Sequence, residues 1–339
     1  MDNRVKKMKI HDSLDSKTLR QTDLPLISII IPTFFRPKGL ETAFLSAASQ
    51  KITDYNIEII VADNSPDADA QFQALKLFEA TNLEAKYISV PQPGVANVRN
   101  AALKISSGEF IAFLDDDQEA TQNWLSSMIK QIKKDESCVV FSRIEGRSDQ
   151  TSHNITPKLD FFSRRHEHKP SGLTEKFYGC GASLINLSLI DPKLIDFDPA
   201  RNQTGGEDDA FFSAIQHAGG TFSWSKEALV YEDVPLQRLR KRYICQRSFA
   251  FGQGPSRLSI EPKNYSLPEL IKWMIIGVIQ MAVYAPLAFI SWPFENAFHM
   301  KYLRKSCEGA GKFFWQKAFT PKFYGQAAAD RKTAKALKT

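Results

Sequence analysis

The chain lacks three features, and each absence narrows its function before any motif is considered. It has only four cysteines, Cys138, Cys180, Cys245 and Cys307, and no two are close together. That spacing argues against a disulfide framework and against a zinc site, and fits a reducing compartment. The first twenty residues contain no apolar core, so no secretory signal is expected there. Finally, the segment Pro32-Thr33-Phe34-Phe35-Arg36-Pro37, which follows the first predicted strand, contains no glycine. Dinucleotide-fold oxidoreductases and nucleoside-triphosphate hydrolases cradle phosphates on a glycine-rich loop at that place, so both classes are disfavoured. A diphosphate bound here would need a metal instead.

Acidic residues are scarce in one part of the chain only. Residues 237–339 carry 18 Lys and Arg against 5 Asp and Glu, while the remainder carries 26 against 33, so the net charge of +6 conceals a basic tail. The same tail holds the longest apolar stretch, from Trp273 to Trp292, with Gln280 and Ser291 as its polar residues. Basic charge beside apolar length points to an anionic membrane surface rather than to nucleic acid. Tryptophans at both ends favour an interface. Eight basic residues from Arg238 to Lys272 and ten from Lys301 to Lys338 flank the stretch, so both flanks are expected on the cytosolic side. That predicts an in-plane or re-entrant segment over 267–294, bent at Pro286, in preference to one crossing helix.

The rest of the 339 residues, 43% hydrophobic overall, can build a real core. Predicted strands at Ile27–Pro32, Asn56–Ala62, Ala85–Val90 and from Phe110 to Leu114 alternate with helices. These helices run from about Lys38 to Lys51, through Phe72, Leu75 and Phe78 on one apolar face, and from Val95 to Ile105. Strand, loop and helix repeated four times predict an α/β fold with a mostly parallel central sheet flanked by helices. In such sheets ligands bind beyond the carboxyl ends of the strands. Those ends supply Thr33 and Arg36, Asp63 and Asn64, Gly94 and Arg99, and the triplet Asp115, Asp116, Asp117.

Three adjacent carboxylates at a strand end require water, a cation or basic groups to hold them. Mg2+ or Mn2+ could take one or two of them together with phosphate oxygens. Further along, small residues around Gly181 suit backbone that approaches a ligand closely. Gly206-Glu207-Asp208-Asp209 places a second acidic group in the first turn of a helix that runs to about His217, where the helix dipole favours it. Between them, the polar segment with His153, His166 and His168 reads as a loop over the site.

In their order, Ser28-Ile29-Ile30-Ile31-Pro32-Thr33, Val61-Ala62-Asp63-Asn64-Ser65, Gly94 to Ala102, Phe113 to Asp117 and Gly206 to Asp209 resemble the motifs of family 2 GT-A glycosyltransferases over roughly residues 26–235. The segment from Glu232 through Gln253 is similar to members that build bacterial exopolysaccharide repeat units. The resemblance implies a catalytic domain at 26–235, with a Rossmann-like nucleotide-binding half at 26–120 and an acceptor half at 121–235. A mobile leader at 1–25, a basic linker or helix at 236–265 and a helical membrane-associating tail at 266–339 complete the expected organisation.

It further implies inverting, metal-dependent transfer from a nucleotide-diphosphate sugar, with uracil as the family's base, to the hydroxyl of a lipid-linked glycan at the cytoplasmic membrane face. Under it, Thr33, Arg36, Asp63, Arg99, Asp115 and Asp116 would bind the nucleotide sugar, and Asp115 and Asp117 would ligate Mn2+ or Mg2+. Asp208 would be the catalytic base, its pKa raised by Glu207 and Asp209. Gly181, Glu207, Asp209, Arg238 and Arg242 would serve acceptor or diphosphate. Processive members carry a Gln-x-x-Arg-Trp motif, whereas Gln237 is followed here by Arg240 and Lys241, so single addition is expected. A metal-dependent nucleotidyltransferase and a non-catalytic sugar-nucleotide or glycan-binding module are the alternatives; the first leaves the Gly206 to Asp209 motif unexplained. All of this requires Asp117 and Asp208 to face one cavity.

Overall fold

The computed structural model describes residues 24–321 and 323, apart from 82, 150–154, 167–168, 203–204, 262–264 and 295. Most of the expected leader, the end of the tail, His153 and His168 lie outside the described residues.

The first half alternates as its periodicity predicts: β1 (Leu26–Thr33), α1 (Pro37–Ala48), β2 (Asn56–Asp63), α2 (Gln71–Glu79), β3 (Glu84–Ser89), α3 (Val95–Ile105) and β4 (Phe110–Phe113). These strands pair in parallel in the order β3-β2-β1-β4. β1, β2 and β4 are mostly apolar and buried because helices cover both faces, whereas β3, at the sheet edge, is only partly buried. Ile27, Ile29 and Ile31 pack with Leu40 and Phe44 of α1 on one side, and Ile30 and Ile60 with Ala96 and Val98 of α3 on the other. The chain steps outward from β1 to β3 and then returns to the far side of β1 for β4. The order therefore reverses between β1 and β4, and a crevice opens beyond their carboxyl ends.

Past β4 the sheet becomes mixed. It continues through β5 (Gln118–Ala120), α4 (Trp124–Asp135), β6 (Val139–Arg147), α5 (Thr156–Leu159), β7 (Gly172–Thr174), β8 (Ser183–Asn186), α6 (Glu207–His217) and β9 (Phe222–Asp233). β8 enters at the rim where β4 ends, so it runs antiparallel to β4 and to β6. β9 lies parallel to β6 and antiparallel to β5 and β7, so one sheet runs through both expected halves.

One helix face differs from its expected stripe. Phe72 is 82% exposed and Leu75 48%, while Ala74 and Leu77 are buried. The small Ala74 turns that face of α2 to the core, and only Phe78 of the expected three packs against it.

Three helices follow the sheet: α7 (Lys241–Leu258), α8 (Leu267–Ser291) and α9 (Ala297–Phe313). The expected turn at Pro286 is not where the chain reverses. α8 is continuous through Pro286, and the reversal falls at the 3-10 turn Trp292–Phe294 and at Asn296, which caps α9. α8 and α9 then run antiparallel, with Tyr284 stacked on Tyr302 at 6.1 Å and the backbones of Gly277 and Gly309 in close approach. α9 also packs along α7, where Gly252 meets Glu308 and Gly311 meets Phe249. α8 is not a core helix, since Ile275, Ile279 and Ile290 are each more than half exposed.

Candidate functional site

The acidic triplet sits at the mouth of the crevice and is held by arginines. Asp116 accepts hydrogen bonds from Thr33 Oγ1 at 3.0 Å, the Phe34 amide at 3.2 Å and Arg36 Nη1 at 2.6 Å. Asp117 accepts from Arg36 Nη1 at 2.8 Å and Arg238 Nη1 at 3.0 Å. Asp115 is held more loosely, 3.7 Å from Arg99 Nη2, and its side chain stays one-third exposed. Guanidiniums thus separate charges that would otherwise repel. The approach of α1 to the triplet depends on Gly39, because a Cβ there would overlap the Asp116 carbonyl oxygen. A backbone atom cannot swing aside, so Gly39→Ala is expected to cost about 1–3 kcal/mol and to weaken donor binding. Thermal melts with and without nucleotide would show both effects.

The second acidic group lies opposite. α6 starts from Gly206 in the left-handed region at φ 83°, which puts Glu207, Asp208 and Asp209 in its first turn. Buried Glu207 accepts from Arg99 Nη1 at 2.8 Å. Arg99, only 5% exposed, therefore bridges the two acidic groups, and its guanidinium also lies 5.4 Å from the Phe197 ring. Between them runs the loop Gly179–Gly181. The Cys180 amide donates to Asp208 Oδ2 at 3.3 Å. A Cβ at Gly181 would overlap the Asp115 carboxylate, so Gly181 is the place where backbone passes against the triplet.

This loop is positioned by Arg164, a residue that sequence reasoning missed. Its Nη2 donates to the carbonyls of Gly179 at 3.0 Å and Gly181 at 3.3 Å. The guanidinium lies over the Phe141 and Tyr178 rings, and burial brings its pKa down to about 10. A single arginine in an irregular basic segment carries no periodic signal that could have revealed it. His166, in the same segment, packs against Tyr178 and Trp224.

A cavity of about 790 Å³ takes in Asp117 and Asp208 together, so the two acidic groups share one cleft. Among the described residues its lining includes seven Asp and Glu and seven Arg, with no lysine. Asp63 is not part of that lining. Its carboxylate accepts from the Ser65 amide at 2.8 Å, the Ala70 amide at 2.9 Å and the Tyr87 hydroxyl at 2.9 Å, so it organises the turn after β2. Its neighbour Asn64 lines the cavity, with Oδ1 accepting from the Gly94 amide at 2.7 Å. Arg242 is likewise absent from the lining. Tyr243, Arg247, Ala250, Phe251 and Gly254 form the cavity face of α7, and Arg242 lies outside that stripe, exposed. Glu232, which sequence reasoning gave no role, lines the cavity 4.0 Å from Arg238.

Carboxyl groups here hold protons more tightly than usual. Burial, then the charge of Asp117, pushes Glu232 up to about 8. Burial, partly offset by Arg99 and reinforced by Asp117, pushes Asp115 up to about 6. Burial followed by the Asp208 charge raises Glu207; Asp209, although exposed at the surface of the chain, rises for the same two causes. In this window the folded chain binds more protons than the unfolded one, so stability falls as pH rises. The contribution is complete below the ordinary carboxylate range and is lost as pH passes about 6 for Asp115 and about 8 for Glu232. The ligand-free protein is expected to melt at progressively lower temperature between about pH 5 and pH 8. Glu232→Gln should flatten the upper part of that slope, and an unchanged slope would contradict the assignment.

The profile of the glycosyl transferase family 2 matches residues 28–190. The succinoglycan biosynthesis protein ExoM of Rhizobium meliloti is 30% identical over 282 residues, covering 81% of this chain and 89% of that protein. The chain belongs to glycosyl transferase family 2. It is also similar to the GalNAc(5)-diNAcBac-PP-undecaprenol beta-1,3-glucosyltransferase of Campylobacter jejuni, at 28% identity over 171 residues, 50% of this chain and 54% of that one. The crystal structure of S. aureus TarS 1-349 in complex with UDP aligns with a TM-score of 0.49 at 16% identity, covering 84% of this chain and 89% of that one.

In this family 2 chain, no cluster of three His, Cys, Asp or Glu side chains is arranged as a metal cage among the described residues. A divalent ion shared with a diphosphate needs only one or two carboxylates, because phosphate oxygens and water supply the rest. Asp115, the least neutralised of the triplet, fits that requirement, with Asp117 beside it.

Proposed function

We propose that the chain transfers a single sugar, with inversion, from a UDP-sugar to a hydroxyl of a lipid-linked glycan in exopolysaccharide biosynthesis. The observation that carries this reading is the shared cavity, in which Asp117 and Asp208 stand on the two sides of the Arg99 bridge. Thr33, Arg36, Asn64, Arg99, Asp115 and Asp116 surround the crevice at the β1–β4 switch point, the place for the nucleotide diphosphate. Asp115 and Asp117 would hold Mn2+ or Mg2+, which offsets the charge of the departing diphosphate when bound. Asp208 takes the proton from the incoming hydroxyl, on the sugar face away from the leaving group. Glu207 is committed to Arg99 and so serves to fix that bridge.

The names of the Rhizobium and Campylobacter relatives, one a succinoglycan biosynthesis protein and the other acting on a PP-undecaprenol glycan, support a lipid-linked acceptor. Residues 26–235 would be the catalytic domain. The segment 236–265 closes the cavity through α7, and the α8–α9 hairpin lies in the cytoplasmic membrane interface. The exposed Phe289, Trp292, Phe294 and Phe298 cluster at its turn, as an interfacial hairpin requires.

Two measurements test this. Incubation with a panel of UDP-sugars, Mn2+ and a membrane lipid extract should release UDP. Pyrophosphate release would instead indicate a nucleotidyltransferase, and donor binding without turnover a binding module. In vesicle flotation with anionic lipid, the full chain should float and Ile275→Glu/Ile279→Glu should not; equal flotation would sink the membrane role.

A further inference from the structure

Five aromatic side chains line one wall of the cavity: Phe161 and Phe162 in the turn after α5, Tyr243 and Phe251 on α7, and Phe323 beyond α9. None of them belongs to the donor crevice at the β1–β4 switch point. We propose that this wall is the subsite for the acceptor glycan, on which a pyranose ring stacks with its hydroxyls toward the arginines set among the aromatics. This rests on the glycosyltransferase reading above.

The wall is continuous and rigidly mounted. Phe161 meets Phe162 at 5.1 Å and Phe251 at 5.9 Å, Phe162 lies nearly parallel to Tyr243 at 6.4 Å, and Tyr243 meets Phe323 at 5.8 Å. Tyr243, Arg247 and Phe251 recur at every fourth position, which puts them on one face of α7, while Gly252 and Ser256 pack against α9. The turn that carries Phe161 and Phe162 is tied to β6. The Ile144 amide donates to the Arg164 carbonyl at 3.1 Å, the Arg164 amide to the Ile144 carbonyl at 2.8 Å, and the Gly146 amide to Ser163 Oγ at 3.0 Å. Phe251 is nonetheless 53% exposed. A large ring fixed in a cavity wall and left half open to water is a binding surface, because packing into a core would have covered it.

Its chemistry favours a sugar over a hydrocarbon chain. Arg247 lies 4.9 Å from the ring centroids of both Phe251 and Phe323, and Arg304 of α9 lies 4.6 Å from that of Phe161. Guanidiniums among the rings would set an isoprenoid chain against charge. A pyranose matches both components, since its C–H face meets the electron-rich faces of the rings and its hydroxyls accept from N–H donors. Position agrees with this occupant. Asp209, one residue on from Asp208, is close enough to Arg247 to feel its charge, so a sugar on this wall lies within reach of the base.

The test uses the full chain in phosphocholine-detergent micelles, with UDP and Mg2+ present to fill the donor site. Saturation-transfer difference NMR is read on four β-linked disaccharides: cellobiose, laminaribiose, gentiobiose and lactose. Transfer to their ring C–H protons is expected at sugar concentrations of about 1–10 mM. Phe251→Leu keeps apolar bulk and helix propensity but removes the ring, and should weaken binding by about three- to tenfold. Phe251→Trp should retain it, with UDP affinity moving less than about twofold in both variants. Phe161→Leu should act in the same direction as Phe251→Leu, so the outcome does not depend on one variant folding. No transfer to any of the four sugars would overturn the proposal. So would undiminished binding by both leucine variants, which would make the wall a plain apolar slot, or displacement of the sugars by farnesol, which would assign it to a lipid chain. Absence of UDP binding by the wild type would count against the transferase reading itself, whereas UDP binding without sugar binding would remove this subsite alone.

Discussion

Asp208→Asn is expected to lower turnover by about two to four orders of magnitude while UDP-sugar affinity stays unchanged. Asparagine is nearly isosteric with aspartate and still presents an oxygen to the Cys180 amide, which donates to Asp208 at 3.3 Å, so the loop Gly179–Gly181 should keep its course. What asparagine cannot do is accept the proton of an acceptor hydroxyl. Glu207 does not replace it, because it is bound to Arg99 at 2.8 Å. Single-turnover rates and donor dissociation constants, measured on the same preparation, separate chemistry from binding. Full turnover in the variant would remove Asp208 from the chemistry. A matching loss of donor affinity would make it a binding residue.

Arg99→Leu is expected to cost about 3–5 kcal/mol of stability, because it leaves Glu207 buried without its partner. Arg99 and Glu207 are 5% and 6% exposed, so solvent cannot take over the lost hydrogen bond. The loss should be smaller at acid pH, where Glu207, already raised by burial and Asp208, takes up a proton and becomes neutral. Arg99→Leu/Glu207→Leu should recover most of the loss, since removing both charges avoids the unpaired one. Denaturant unfolding of the two single variants and the double variant closes the cycle. If the two single losses simply add in the double variant, the bridge is not the coupled element described here. The recovered double variant should still bind donor poorly, because Arg99 also stands 3.7 Å from Asp115.

Much of this architecture was legible in local pattern. The β1 to β4 strands are apolar runs bounded by turn residues, and their alternation with helices predicts parallel pairing, which holds through β4. An acid at a strand end is more ambiguous. Asp63 and Asp116 both stand past strand ends and each accepts three hydrogen bonds, yet the donors to Asp63 are Ser65, Ala70 and Tyr87, away from the cavity lining, while those to Asp116 are Thr33, Phe34 and Arg36, which line the cavity with it. Which donors reach a carboxylate depends on the packing of neighbouring strands and turns, and the strand's own sequence does not record it. The basic segment around α7 shows the same limit. Its composition announces cations for phosphate, but the helix's rotation selects Arg247 over Arg242.

By itself, the sequence determined the family, the parallel half of the sheet, the acidic triplet at its rim and the apolar tail, because each is a pattern over a few adjacent residues. Only the tertiary structure decided which guanidinium balances which carboxylate and that α7 completes the cavity. The reason is distance along the chain. The pairs Arg36–Asp116, Arg99–Glu207 and Arg238–Asp117 join residues 80, 108 and 121 positions apart, and their meeting is set by how the sheet and helices pack.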